Sequence, residues 1–578
     1  MATKPTASRH RHVLYRKRRK LNTRLKALKA YQPTSPTIKK IEHELSLLEY
    51  NLREHINHEL ITKERKALAK ITVNPRFFFS YAKKFSKLRS NIGPLKDADG
   101  DLHHQPNEMA DLLQSQYESV FSDPNAAEID HTCQHVPQVE TELSEIPINE
   151  KDMADAMKEL NPYSSAPDGE IPARILKDCR ESLCVPLTIL WKQSFNCGKI
   201  PVQFKMQFIA PIFKKDDKTD PANYRPVSLT SHIIKIFERV VRKYMVQYLE
   251  SNNLLSNKQH GFRKGRSCLT QLLNHIEEIL QNQLRGDETD VIYLDYAKAF
   301  DKVDHDLLLL KLWRYGIKGK LHTWLSEFLK GRQQIVVVDG QHSRPAPVIS
   351  GVPQGTVLGP ILFLVYLNEI SSVLHHSLGS SFADDTRLMK AINGVTDTLK
   401  LQSDLNSVVQ YSKENNMKLH ENKFELLSYR NNSSTLRELP FAEDFSQYLT
   451  PGGFLLQPKP TVKDLGVNLS DNLSWSPHIS KIAADAKKMA SWVLGVFQDR
   501  SKPTMLHLYK SLIRCRLEYC SPVWSPSSTA DIQKLEEIQR FFTKKIAGLS
   551  AIAYHDRLAI LQLQSLQQHS NAVENDTA

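Results

Sequence analysis

The stretch Phe382-Ala383-Asp384-Asp385 decides how this chain is read. Apolar sequence precedes it, Ile361 to Leu367, and a third carboxylate stands upstream at Asp295. Carboxylates held a few Å apart in a partly dry site repel one another and raise each other's pKa, so such a cluster usually persists because a cation sits among them. Successive side chains of a strand face opposite sides. A strand-turn-strand can therefore bring Asp384 beside Asp295 and leave Asp385 at the edge of the same site. Oxygen-only ligands favour Mg²⁺, and a pair of such ions ~3.5 to 4 Å apart suits in-line displacement at phosphorus. Taken alone, an Asp-Asp pair is more often a solvated surface turn; the surrounding sequence argues for the metal.

Around Asp295 the chain reads Val291-Ile-Tyr-Leu-Asp-Tyr-Ala-Lys-Ala-Phe300, a short apolar strand ending on a carboxylate and followed by a helical turn. Phe300 falls five residues after Asp295, where an aromatic ring can close the space that a ribose 2′-hydroxyl needs. An ordinary core phenylalanine fits that position equally well. Further on, Ser350-Gly-Val-Pro-Gln-Gly-Thr-Val-Leu-Gly-Pro360 has three glycines that let backbone approach a ligand, and Gln354 offers donors and an acceptor. A generic Gly/Pro turn is the plainer reading of that segment.

In this order and spacing the segments resemble the reverse transcriptases of non-LTR retrotransposons, in particular the jockey-type elements. The likeness extends to Ala210-Pro-Ile-Phe-Lys-Lys215, Asn223-Tyr-Arg-Pro-Val-Ser-Leu229, Gln259-His-Gly-Phe-Arg-Lys-Gly-Arg-Ser-Cys268, Asn416-Met-Lys-Leu-His-Glu-Asn-Lys423 and Val462-Lys-Asp-Leu-Gly-Val467, and runs from about Ile71 to about Leu566. It implies an α+β right-hand polymerase with fingers, a ferredoxin-like palm and a helical thumb. It also implies RNA-directed DNA polymerase activity on an RNA template, a DNA primer or nicked target DNA, and deoxynucleoside triphosphates. Asp295 and Asp384 would hold two Mg²⁺ ions, with Mn²⁺ as an alternative, and Asp385 would assist. Phe300 would be the sugar gate. Tyr296, Gln354, Gly355, Arg225 and Lys214 would meet nucleotide or template, and Lys423 would be an acid for the pyrophosphate leaving group. Arg263, Lys264 and Arg266 would line the nucleic-acid path, and Gly466 would lie in the hairpin that grips the primer end. By residue type alone, Lys214 and Lys423 are as consistent with solvated surface charges.

The composition agrees with a polyanionic partner. The chain has 578 residues, is 24% charged and carries a net charge of +13. Phosphate contacts release counterions, so affinity should fall steeply with salt. Residues 1–30 hold eleven Lys or Arg and no acid, a run that suits a nucleic-acid arm, a nuclear-import signal or a solvated tail. Seven cysteines (Cys133, Cys179, Cys184, Cys197, Cys268, Cys515, Cys520) form no C-x-x-C pair and read as reduced thiols. No apolar run approaches the roughly 18 residues of a membrane helix. The expectation is a soluble protein without a membrane partner, working inside the cell in nucleus or cytoplasm; the oligomeric state is left open.

Periodicity and punctuation predict a basic helical extension over 1–90, broken at Pro33 and Pro36, and a linker over 91–149 that partly packs on the fingers. Fingers are expected over 150–290, a palm of strand, helix, strand, strand, helix, strand over 290–435, a primer-grip region over 436–475 and a helical thumb over 476–578, with truncation of its end left open. The reverse transcriptase domain itself is expected over 195–470. Family members carry an upstream endonuclease domain that this sequence lacks, so the target nick is expected from elsewhere. A second function class stays open, a nucleic-acid-binding protein on a polymerase scaffold that no longer turns over. RNA-templated RNA synthesis is disfavoured by the aromatic at 300.

Overall fold

The computed structural model describes residues 9–85, 92–122, 136–137, 139–167, 169–430 and 448–567. The start of the basic arm, Cys133, part of the expected linker and primer-grip regions, and the last residues of the expected thumb lie outside the described residues. The chain forms two compact units, residues 1–89 with 478–578, and residues 90–477.

In the first unit, helices Arg9–Tyr31 and Thr37–Leu68 meet at the Pro33/Pro36 turn, where a proline cannot continue a helix. Leu14, Leu21, Leu25 and Leu28 of the first pack on Ile41, Leu45 and Leu48 of the second, both at helical spacing. Part of the basic charge is spent across this seam, in Lys17–Glu44, Arg18–Glu49 and Lys29–Glu42 pairs at 3.0, 3.1 and 2.7 Å. The far end of the hairpin joins the C-terminal helices. Buried Glu64 accepts from the backbone N–H groups of Gln498 and Asp499 at 2.9 and 2.8 Å, and Phe78 stacks on Phe497 at 5.5 Å. Segments at opposite ends of the sequence, expected as separate extension and thumb, thus share one body. Each helix shows an apolar face in the sequence, but not which partner covers it.

The second unit holds the strands. They are β1 (Leu95–Lys96), β2 (Leu102–His103), β3 (Met206–Phe213), β4 (Tyr224–Leu229), β5 (Glu288–Leu294), β6 (Arg332–Val338), β7 (Gln341–His342), β8 (Ala346–Val348), β9 (Leu378–Phe382), β10 (Asp385–Ile392), β11 (Glu425–Tyr429), β12 (Tyr448–Leu449), β13 (Leu455–Leu456), β14 (Thr461–Asp464) and β15 (Val467–Ser470). One sheet runs β11-β5-β10-β9, with every pairing antiparallel. Counting its strands in chain order gives 4-1-3-2, the order of a split βαβ unit. Its central strand β5 is buried at six of seven positions.

A second sheet runs β4-β3-β6-β7, with β8 also on β6. Here β3 and β6 pair in parallel, so the segment 332–348 leaves the first sheet's sequence neighbourhood to join a strand far upstream. Helix Pro106–Glu118 covers this sheet, packing Met109, Leu113 and Tyr117 against Ile209, Val336 and Val338. Within the region expected as a linker that partly packs on the fingers, this helix is one part that packs. The spacing of Met109, Leu113 and Tyr117 at i, i+4, i+8 is the reason. One large core packs helices on the first sheet; in it Trp191 stacks on Phe237 at 4.8 Å and Phe237 meets Trp324 edge-on at 5.0 Å.

Candidate active site

The antiparallel register of β5 and β10 pairs Leu294 with Thr386, and continuing it by one residue sets Asp295 opposite Asp385. Phe382 pairs with Asp385, so Ala383 and Asp384 are the two central residues of a tight hairpin. Ala383 carries φ +59°. A positive φ at the first central residue and not at the second, Asp384, belongs to a type II′ turn, where glycine is the usual first occupant. The strained alanine is held from outside by Gln259, whose Oε1 accepts from the Ala383 N–H at 3.0 Å, while across the same seam the Ser381 carbonyl accepts from His260 N–H and the Ser381 N–H donates to the Lys258 carbonyl, each at 3.0 Å. A Cβ on Gly261 would lie 2.5 Å from the Ala383 nitrogen, so glycine there is a steric requirement. Asp295 is fixed by its own backbone, whose carbonyl accepts from His420 N–H at 2.8 Å.

The three carboxylates feel one another. Burial and then the charge of Asp295 push Asp384 up, with Arg225 and Lys214 opposing. Asp385 keeps an accessible edge, yet partial burial and the charges of Asp384, Asp295 and Asp464 push it up to about 6. Lys423 Nζ sits 2.5 Å from Asp295 Oδ2. Among the described residues no three carboxylate, imidazole or thiol groups converge into a ready-made cation cage. The donor set is oxygen-only, crowded and electrostatically coupled. It fits a hard cation that completes its shell with water and phosphate oxygens, as Mg²⁺ does, rather than one that needs an all-protein cage.

These groups open on a cleft of about 780 Å³ lined by Lys214, Arg225, Lys298, Phe300, Gln354, Gly355, Asp384 and Lys423 among others. Lys214 follows β3 and Arg225 lies in β4, so the β3–β4 turn carries both cations to one wall. Burial, and then the nearness of Lys214, Arg225 and Lys423, hold Lys298 below its ordinary value, against the pull of Asp301. Such a wall of close positive charge is suited to a polyphosphate. Gln354 is tied at both ends: its carbonyl accepts from Ser228 N–H at 2.7 Å and its Nε2 donates to Asp301 Oδ1 at 3.0 Å. Gly355, at φ +115°, lies where a Cβ would meet the Ser228 carbonyl at 2.7 Å. Glu238 holds the next turn by accepting from the N–H groups of Val357 and Leu358 at 2.6 and 3.0 Å. Phe300 stacks on buried Phe363 at 4.2 Å.

Gly466 occupies the tip between β14 and β15 with φ +91°, next to Leu465 at φ +44°. That hairpin is joined to the carboxylate strand by a buried ion pair between Arg387 and Asp464, and Arg387 also donates to Ser380 Oγ at 2.8 Å and the Gln271 carbonyl at 3.1 Å.

Tyr296 borders the cleft but is only 3% exposed, and its hydroxyl meets Ser412 Oγ at 3.1 Å. Two other expected contacts take other places. The Arg263 side chain, 7% exposed, is a clamp: it donates to both Glu250 oxygens at 2.9 and 2.6 Å and to the Ser256 carbonyl at 2.6 Å. Arg266 donates to the Asn257 carbonyl and Oδ1 at 2.6 and 2.9 Å. Lys264 between them is exposed. Conversely, Asp301, Gln259, Glu238, Arg387 and Asp464 shape the site and were not singled out. Gln259 and Asp464 lie inside motifs quoted above and Asp301 directly follows one, but a lone Asp or Gln gives no signal until its distant partner is known.

Residues 212–469 match the family model described as reverse transcriptase (RNA-dependent DNA polymerase). The chain is 27% identical over 382 residues to a probable RNA-directed DNA polymerase from transposon X-element of Drosophila melanogaster, covering 63% of this chain and 40% of that protein. It is 23% identical over 487 residues to a probable RNA-directed DNA polymerase from transposon BS of the same species, covering 82% and 51%. It is 26% identical over 406 residues to the RNA-directed DNA polymerase from mobile element jockey, again of Drosophila melanogaster, covering 67% and 43%. The chain spans about half or less of the length of these curated relatives. It carries a reverse transcriptase domain related to those of the jockey, X-element and BS transposons.

Proposed function

We propose that this chain is an RNA-directed DNA polymerase of the non-LTR retrotransposon type, extending a DNA 3′-hydroxyl on an RNA template by phosphoryl transfer. The β11-β5-β10-β9 sheet serves as palm, the β3–β4 region with its helices as fingers, the β14–β15 hairpin as primer grip and the helices after residue 478 as thumb. The observation that carries the reading is the register that brings Asp295 opposite Asp385, beside Asp384 at the hairpin tip and under a wall of cations.

Each residue then has a task. Asp295 and Asp384 hold two divalent cations, Mg²⁺ by their chemistry, and Asp385 supports the pair. Such ions, when bound, lower the pKa of the attacking hydroxyl and neutralise phosphate charge. Lys214 and Arg225 bind and orient the triphosphate, where positioning and electrostatic stabilisation are most of the catalysis. Lys423, already beside Asp295, supplies a proton to the departing pyrophosphate oxygen. Gln354 and Gly355 seat the nucleotide, and Phe300 excludes a 2′-hydroxyl. RNA template, primer and deoxynucleotides place the work inside the cell; no helix among the described residues is long and apolar enough to cross a membrane.

Primer extension on an RNA template tests this reading. Asp384→Asn is expected to abolish synthesis while template binding stays nearly unchanged. Synthesis by that variant at the parent rate would remove the proposed site, and a parent chain that binds RNA but never extends would favour a binding scaffold.

A further inference from the structure

Phe262 is 47% exposed, lines the same cleft as Phe300 and Gln354, and adopts φ +57°. A bulky residue in the left-handed region is a true outlier, and such strain persists only where the surroundings over-determine it. Here they do. On one side Gly261 is pressed against Ala383, and on the other Arg263 is clamped by both oxygens of Glu250. Between these anchors the backbone has little freedom, and the Phe262 ring is delivered into the cleft.

It arrives edge-on to Phe300, with ring centroids 6.4 Å apart and planes at 87°. Phe300 itself stacks face to face on Phe363, which is fully buried. The three rings form a series from core to cleft, Phe363, Phe300, Phe262. A steric gate discriminates by repulsion, and repulsion works only when the blocking ring cannot swing aside. Phe363 supports one side of Phe300 but leaves its cleft side free.

We infer that Phe262 is a specificity-determining residue of the polymerase: its ring braces Phe300 against displacement, so that the gate holds its position when a ribose 2′-hydroxyl presses on it. This inference rests on the reading of Phe300 as the gate. An edge-to-face pair contributes enough that its loss should lower the preference for deoxynucleotides over ribonucleotides by about threefold to tenfold. The contact is not made to the reacting atoms, so kcat on deoxynucleotides should hold.

The experiment measures kcat/KM for dATP and ATP on one RNA template and DNA primer with the parent chain, Phe262→Ala, Phe262→Asn, Phe300→Ala and the double variant Phe262→Ala/Phe300→Ala. Asparagine tolerates a positive φ, so Phe262→Asn removes the ring without the burden that alanine adds to the backbone. Binding of both nucleotides to the complex with a dideoxy-terminated primer gives a second reading that needs no turnover. The expected result is reduced sugar preference in both single Phe262 variants, with unchanged thermal unfolding of Phe262→Asn and no further loss of preference when Phe262→Ala is added to Phe300→Ala. Unchanged preference in the Phe262 variants, with a relaxed Phe300→Ala, overturns the brace and leaves the gate standing. Unchanged preference in Phe300→Ala as well, or no preference in the parent, overturns the gate and the brace with it.

Discussion

Asp301→Asn should make this protein more stable and, under the proposed function, weaken its use of nucleotides. Burial pushes the Asp301 carboxyl up to about 6, although Lys298, the Gln354 amide and Arg225 all favour its charge. A rise of about two from the ordinary aspartate value is worth roughly 3 kcal/mol, at about 1.36 kcal/mol for each. The sign follows from linkage. The unfolded chain loses the Asp301 proton near pH 4, and the folded chain keeps it to about 6, so this group's contribution to stability is full below pH 4 and is lost as pH rises to about 6. Asparagine mimics the protonated form. The variant should therefore match the parent at about pH 4 and exceed it by up to roughly 3 kcal/mol at pH 7.5, with the gain appearing between those values. Urea unfolding of both proteins across that range reads the difference, in which groups common to both cancel. A carboxylate can only accept, so it fixes the Gln354 amide with nitrogen inward; asparagine can present either atom and releases that choice. KM for deoxynucleotides should rise on the order of tenfold, the worth of about one charge-assisted hydrogen bond. A variant less stable than the parent at pH 7.5, or a difference that does not change with pH, would refute the reasoning.

Two further substitutions probe the supports of the site. Arg387→Met leaves Asp464 buried and unpaired, which should cost about 3–5 kcal/mol in denaturant unfolding, and Arg387→Met/Asp464→Leu should recover most of it; equal losses in single and double variants would show that the pair is not coupled. Arg263→Ala should cost about 2–3 kcal/mol by the loss of its charged hydrogen bonds, with the salt dependence of RNA binding unchanged. A slope shallower by about one in that variant would return Arg263 to the nucleic-acid path.

Much of the site was legible because its chemistry is local. The Asp384-Asp385 pair, the apolar strand that ends on Asp295, the ring five residues later and the glycine turn around Gln354 each announce themselves by residue type and spacing. The two helices broken at Pro33 and Pro36 were legible for the same reason, since a proline acts on its own backbone. Charge and composition were less informative. Arg263 reads as a phosphate contact because it sits in a basic run, yet its guanidinium is taken by Glu250 across the fold. Tyr296 reads as a site residue because it follows Asp295, and it does border the cleft, yet its hydroxyl is engaged by buried Ser412.

From sequence alone, then, came the reacting groups, the helix break at Pro33 and Pro36, and the alternation of strands and helices that leads to the 4-1-3-2 sheet. Only the tertiary structure decided that β6 pairs with β3, that the N-terminal hairpin shares a core with the C-terminal helices, that Asp301 orients Gln354 and that Arg387 meets Asp464. The physical reason is range. Propensity, turn chemistry and apolar periodicity act within a few residues, whereas a buried charge or an apolar face is settled by whichever distant partner the folded chain brings to it.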